Sequence, residues 1–158
     1  MAIYDAMDGP TYASLRPAVR VRQIAGWAFL AVAVLGLLAI LAMGDTFEAL
    51  AALPMAALFG GLMWRLMFRT SLRTGLAAPT PATDQATYEP APRLLRVAAL
   101  MSFFVLGGAV CVALGSTPPA FVPLGFALAE FAAAAKLRAW ERRNGRTLFT
   151  AGRHYFAR

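Results

Sequence analysis

One acidic residue stands inside an apolar segment of this 158-residue chain. Glu130 follows the run Phe121–Ala129 and precedes Phe131–Ala135. A carboxylate in such a segment costs a few kcal/mol unless it is paired, protonated or hydrated. It is also the kind of group that proton- or cation-coupled carriers use. Its own helical neighbours, Phe126, Ala127, Ala133 and Ala134, offer no partner. The partner must come from another helix, from water or from another protein. Arg65 is the expected one, at similar depth on a neighbouring segment. A buried ion pair that orders the fold is favoured over a carrier site, because a lone acid is weak ground for transport.

The remaining reactive groups stand apart from one another. Cys111 is the single cysteine, so it has no disulfide partner, and no metal-ligand spacing surrounds it. It reads as a small packing residue. His154 is the only histidine, which argues against a metal site. Ser102 has no histidine near it in sequence, and Asp84 lies in a polar stretch. There is no glycine-rich phosphate loop. We therefore expect no catalytic residues, no metal and no cofactor.

The elements that must position Glu130 are apolar and nearly charge-free: about 24–43, 49–64, 97–114 and 120–137. All fifteen basic residues fall on one side of this four-span reading. Arg16, Arg20 and Arg22 precede the first segment, and Arg65, Arg69, Arg73, Arg93 and Arg96 separate the second from the third. Lys136, Arg138, Arg142, Arg143, Arg146, Arg153 and Arg158 lie at and beyond the end of the fourth. The connections Gly44–Glu48 and Gly115–Pro119 carry no Lys or Arg. Cytoplasmic loops retain positive charge, so both termini and the middle loop are expected in the cytoplasm. The expected fold is an all-α membrane protein, a four-transmembrane-helix bundle made of two helical hairpins. Residues 1–18 form a cytoplasmic leader, 19–137 the transmembrane domain, and 138–158 a basic-aromatic tail.

Composition agrees: 59% of the residues are hydrophobic, and four spans of about 20 residues each leave little chain for a soluble domain. The net charge of +7 would suggest nucleic acid in a soluble protein. Here topology accounts for every basic residue, so anionic headgroups are the expected partner and nucleic acid is not. Arg65, Arg69 and Arg73 recur every four residues along one stripe, and with Arg138, Arg142 and Arg143 they are the candidate lipid contacts. The first segment is too long for a signal-peptide core and reads as a retained span. Arginine-dominated basic residues and heavy alanine usage suggest a GC-rich genome, hence a bacterial plasma (inner) membrane.

Local signals mark the turns and contacts. Asp45 and Glu48 have capping-box spacing, which starts the second helix near Thr46. Thr117 with Pro118 and Pro119 marks the start of the fourth. Residues 74–92, rich in proline, read as an extended linker. Asn144-Gly145 is a turn signal. The runs 146–150 and 154–157 are strand-like, with attachment to the membrane surface slightly favoured over a small hairpin. Small residues recur every four positions in three segments: Ala52, Ala56 and Gly60; Gly107, Cys111 and Gly115; Gly125, Ala129 and Ala133. Such stripes let helix backbones approach in lipid, within one chain or between chains. A weak repeat relates Pro17–Arg20 to Pro90–Arg93.

The function expected from these features is a non-enzymatic accessory or scaffold subunit of a membrane complex, with another membrane protein or a second copy as partner. The first alternative is a small proton- or cation-coupled transporter that uses Glu130. Four short helices and one membrane carboxylate resemble the small multidrug exporters. Their essential acid lies in the first helix, whereas this one lies in the fourth, and this chain is longer. A lipid-active membrane enzyme is the second alternative.

Overall fold

The computed structural model describes residues 16–77, 79–81, 94–116, 118–151 and 154–158. The chain is mostly helical. Helix α1 spans Ala18–Ala42, α2 Thr46–Met63, α3 Arg69–Ala77, α4 Leu94–Ala113 and α5 Phe121–Asn144. A π-helical turn, Trp64–Phe68, joins α2 to α3 without a break. Four short strands complete the fold: β1 Arg16–Pro17, β2 Thr80–Pro81, β3 Leu148–Ala151 and β4 His154–Ala157. Two helices, Ala18–Ala42 and Thr46–Phe68, are long and apolar enough to cross a membrane, and Met101–Ala113 is a shorter apolar helix.

The first turn between helices forms as its residues dictate. The Asp45 side chain accepts a hydrogen bond from the Glu48 amide at 2.9 Å, and α2 starts at Thr46. Gly44, at φ 83°, takes the left-handed conformation that closes α1. At the other turn Thr117 lies outside the described residues, and α5 starts after Ala120 with no side-chain cap. Gly145, also left-handed at φ 62°, ends α5 at the expected turn.

Helix α5 is the centre of the bundle, with α1 on one flank and α2 on the other, while α4 leans on α1. Small residues set the α2–α5 distance. A Cβ placed on Gly125 would lie 2.6 Å from the Phe59 ring and 3.0 Å from the Ala56 carbonyl oxygen. Ala52, Ala56, Gly60, Gly125, Ala129 and Ala133 are all buried, so two of the three expected stripes pack face to face. The third does not. A Cβ on Gly107 or Gly115 would meet nothing within 4 Å, and Gly115 sits in the turn after α4 at φ 69°. The reason is that α4 meets the bundle elsewhere: Gly108 faces Pro118, and Phe104 reaches across to Phe29 and Phe126. Each of the four long helices contributes a phenylalanine to this layer. Phe126 stacks on Phe29 at 5.1 Å and takes Phe59 edge-on at 5.4 Å.

The tail is a hairpin, not a surface strip. Its strands β3 and β4 pair antiparallel, Leu148 opposite Ala157 and Ala151 opposite His154. The hairpin becomes a four-stranded sheet of order β1-β3-β4-β2 by recruiting a two-residue strand on each side. Arg16 pairs with Thr150 antiparallel, and Thr80 pairs with Phe156 parallel. What turns the hairpin into a sheet is the pair of flanking strands from the leader and the linker, which nothing in the tail's own sequence marks. The linker reading also shifts: residues 74–77 are helical and 80–81 are strand, while 82–93 lie outside the described residues. Buried Leu72, Leu137, Leu148 and Tyr155 pack the sheet onto the ends of α3 and α5. Glu141 accepts from the Leu148 amide at 2.8 Å and pins β3 to α5.

Candidate functional site

The buried stripe of α1 contains Ala18, Gly26, Phe29, Ala33 and Ile40. Arg22 falls in the helical gap between Ala18 and Gly26, so it faces α5 rather than solvent. There its Nη1 donates to both carboxylate oxygens of Glu130, at 3.1 and 3.2 Å. Glu130 is only 7% exposed and is the one buried charged residue among those described. The expected pairing with Arg65 is therefore wrong. Arg65 lies in the π-helical turn and is exposed. The difference lies in which helices touch at this level: Arg22 is in the first turns of α1, which packs against α5.

Two more elements close around the guanidinium. Its carbon lies 4.8 Å from the centre of the Phe68 ring, over the aromatic face. Tyr155, from β4, lies near enough to feel its charge. The Tyr155 ring in turn lies against α3, where a Cβ on Gly75 would sit 2.6 Å from it. Thus one arginine joins α1, the π-helical turn, α5 and the sheet. The π-helical turn sets where Phe68 falls, because its wider i→i+5 winding offsets the helix face.

The site's chemistry follows from its partners. A guanidinium held between a carboxylate and an aromatic face has its charge engaged by fixed groups. Gain of a proton at Glu130 would weaken the ion pair and loosen four elements together. No group of three or more His, Cys, Asp or Glu with metal-binding placement exists among the described residues.

The other candidates lie apart from this cluster. Arg69, Arg73, Arg138, Arg142 and Arg143 are exposed along α3 and the end of α5, as is Arg65. Lys136 lies 5.7 Å from the Trp64 ring centre. Cys111 is half-buried on α4. Arg93, Arg153 and Asp84 lie outside the described residues. Reading the sequence missed Arg22, Phe68 and Tyr155 as partners. The spacing of Ala18, Arg22, Gly26, Phe29 and Ala33 was the available signal for Arg22. No comparable pattern marks Tyr155. No protein-family model, curated protein or solved structure matches the chain, so its function has to be argued from these residues alone.

Proposed function

We propose that the chain is a four-span integral membrane protein of a bacterial plasma membrane, with both termini cytoplasmic. In this reading it acts as a non-enzymatic accessory or scaffold subunit of a membrane complex. The observation that carries the proposal is the use made of Glu130. Among the described residues the one buried charge is spent on a bridge to Arg22 that fastens α5 to α1, with no second acid beside it. Such a group stabilises a shape that other proteins can read.

Membrane residence is supported by what the helices leave outside. Phe47, Leu58, Phe103, Leu106 and Leu114 are each at least 66% exposed, and large apolar side chains exposed in such number suit lipid better than water. Helices α4 and α5 would cross with α1 and α2: at 1.5 Å per residue, 20 and 24 residues reach roughly 30 and 36 Å. The exposed arginines of α3 and of the end of α5 would then sit at the cytoplasmic surface against anionic headgroups.

The test is purification of the tagged protein from its own membrane in mild detergent, with mass and partner identification. A stoichiometric companion is expected. A lone monomer or homo-oligomer would overturn the accessory role. Flux measurements on the wild type and Glu130→Gln would then examine the transporter alternative.

A further inference from the structure

An apolar cleft of about 570 Å³ opens between α1 and α4 in the half of the bundle remote from the sheet. Among its lining side chains only Cys111 carries a heteroatom. The cleft is closed at one end by Pro118 and Ala120. There the turn lies directly on α1, since a Cβ on Gly36 would be 3.0 Å from the Ala120 Cβ. At the other end Phe104 closes it, edge-on to Phe29 at 6.0 Å. Among the described residues the cleft opens to the side, between Leu35 and Phe103, which are 60% and 70% exposed.

We infer that this cleft seats one acyl chain of a membrane phospholipid, taken in sideways from the surrounding bilayer. The inference rests on the membrane reading proposed above. Size and polarity select the occupant. Water finds scarcely a polar partner there beyond the Cys111 thiol, and apolar cavities of this kind stay dry. A cavity of about 150 Å³ takes a six-carbon benzene, so 570 Å³ has room for roughly twenty carbons in a chain. A helix from a second copy does not fit. At a girth of about 10 Å it fills roughly 80 Å³ for each Å of length, so the cleft would hold little more than one turn. With both ends blocked, the occupant must enter through the slot between α1 and α4. That slot faces hydrocarbon when the helices span.

The experiment uses the full chain in vesicles of phosphatidylglycerol that carries a photoactivatable diazirine in one acyl chain. Alkaline carbonate extraction of the same vesicles reports separately on membrane residence. Protein released by carbonate would sink the membrane reading whatever the cross-links show. For carbonate-resistant protein, adducts are expected several-fold enriched on Phe104, Cys111 and Pro118 over outward-facing Leu58 and Leu62. Gly107→Phe should abolish that enrichment, because its backbone has room for a Cβ and its ring would occupy the cleft. Cys111, the single cysteine, gives a second readout in the wild type. Its alkylation in detergent should slow several-fold when the same phospholipid is added. Adducts spread evenly over the outward faces, with no lipid effect on alkylation, would overturn the inference. Cross-linked dimers joined through cleft residues would overturn it as well.

Discussion

Replacing Arg22 by methionine removes the countercharge of a carboxylate that is only 7% exposed. Breaking a buried pair from one side costs about 3–5 kcal/mol, because the remaining charge is stranded. Glu130→Met is milder. The guanidinium side chain is 29% exposed and keeps Tyr155 and the Phe68 ring, so a cost of about 1–3 kcal/mol is expected. The double variant leaves neither charge stranded and fills the space with apolar side chains. It should lie well above the sum of the single losses, with a coupling of at least ~2 kcal/mol. Arg65→Met is the control: its side chain is exposed and should change stability by less than about 0.5 kcal/mol. For a chain of this length each kcal/mol moves Tm by about 2–4 °C, so Arg22→Met should unfold roughly 6–20 °C lower. Thermal unfolding in mild detergent, followed by tryptophan fluorescence, measures all four proteins. The reasoning is refuted if Arg65→Met costs as much as Arg22→Met, or if the cycle returns a coupling below about 0.5 kcal/mol.

Three further outcomes follow from the geometry. Gly125→Leu should fail to fold or lose several kcal/mol in the same unfolding assay, since its Cβ already collides with Phe59, whereas Gly107→Ala should be tolerated. Asp45→Ala removes the acceptor of the Glu48 amide and should cost about 1 kcal/mol, with a matching loss of helical ellipticity near α2. Changing Arg65, Arg69 and Arg73 together to glutamine should weaken affinity for anionic headgroups by roughly 1 kcal/mol per residue, read as less phosphatidylglycerol retained by the protein in mild detergent as salt is raised. Unchanged salt dependence would remove these arginines from the lipid-facing surface.

Features encoded by neighbouring residues were legible in the sequence. Asp45 and Glu48 announce the start of α2, and Asn144-Gly145 announces the end of α5. The small-residue stripes of α2 and α5 could be read for the same reason, because helical periodicity is local. The α4 stripe could not be judged this way. Spacing shows which residues share a face, but not whether another helix lies against it. Glu130 was identifiable as a group in need of a partner. Choosing between Arg65 and Arg22 required knowing that α1 covers α5 at that level, which is tertiary information. Tyr155 was beyond reach for a stronger reason: its approach depends on a sheet whose edge strands are two residues long. A two-residue strand has no period to detect.

The bridge between Arg22 and Glu130 joins residues 108 positions apart. At synthesis rates of about 5–20 residues per second, the acid emerges roughly 5–20 s after the arginine. Through that interval the arginine lacks the carboxylate that pairs with it in the fold. On the four-span reading, this is when α1 is being oriented, and a free positive charge at its base helps to keep the leader in the cytoplasm. On the same reading, arrival of α5 then neutralises a charge that helps to set the orientation and half-buries it. The same side chain would thus act first as an instruction to the insertion machinery and later as a fastener. Moving the arginine a few residues toward the N-terminus would preserve the first role and abolish the second.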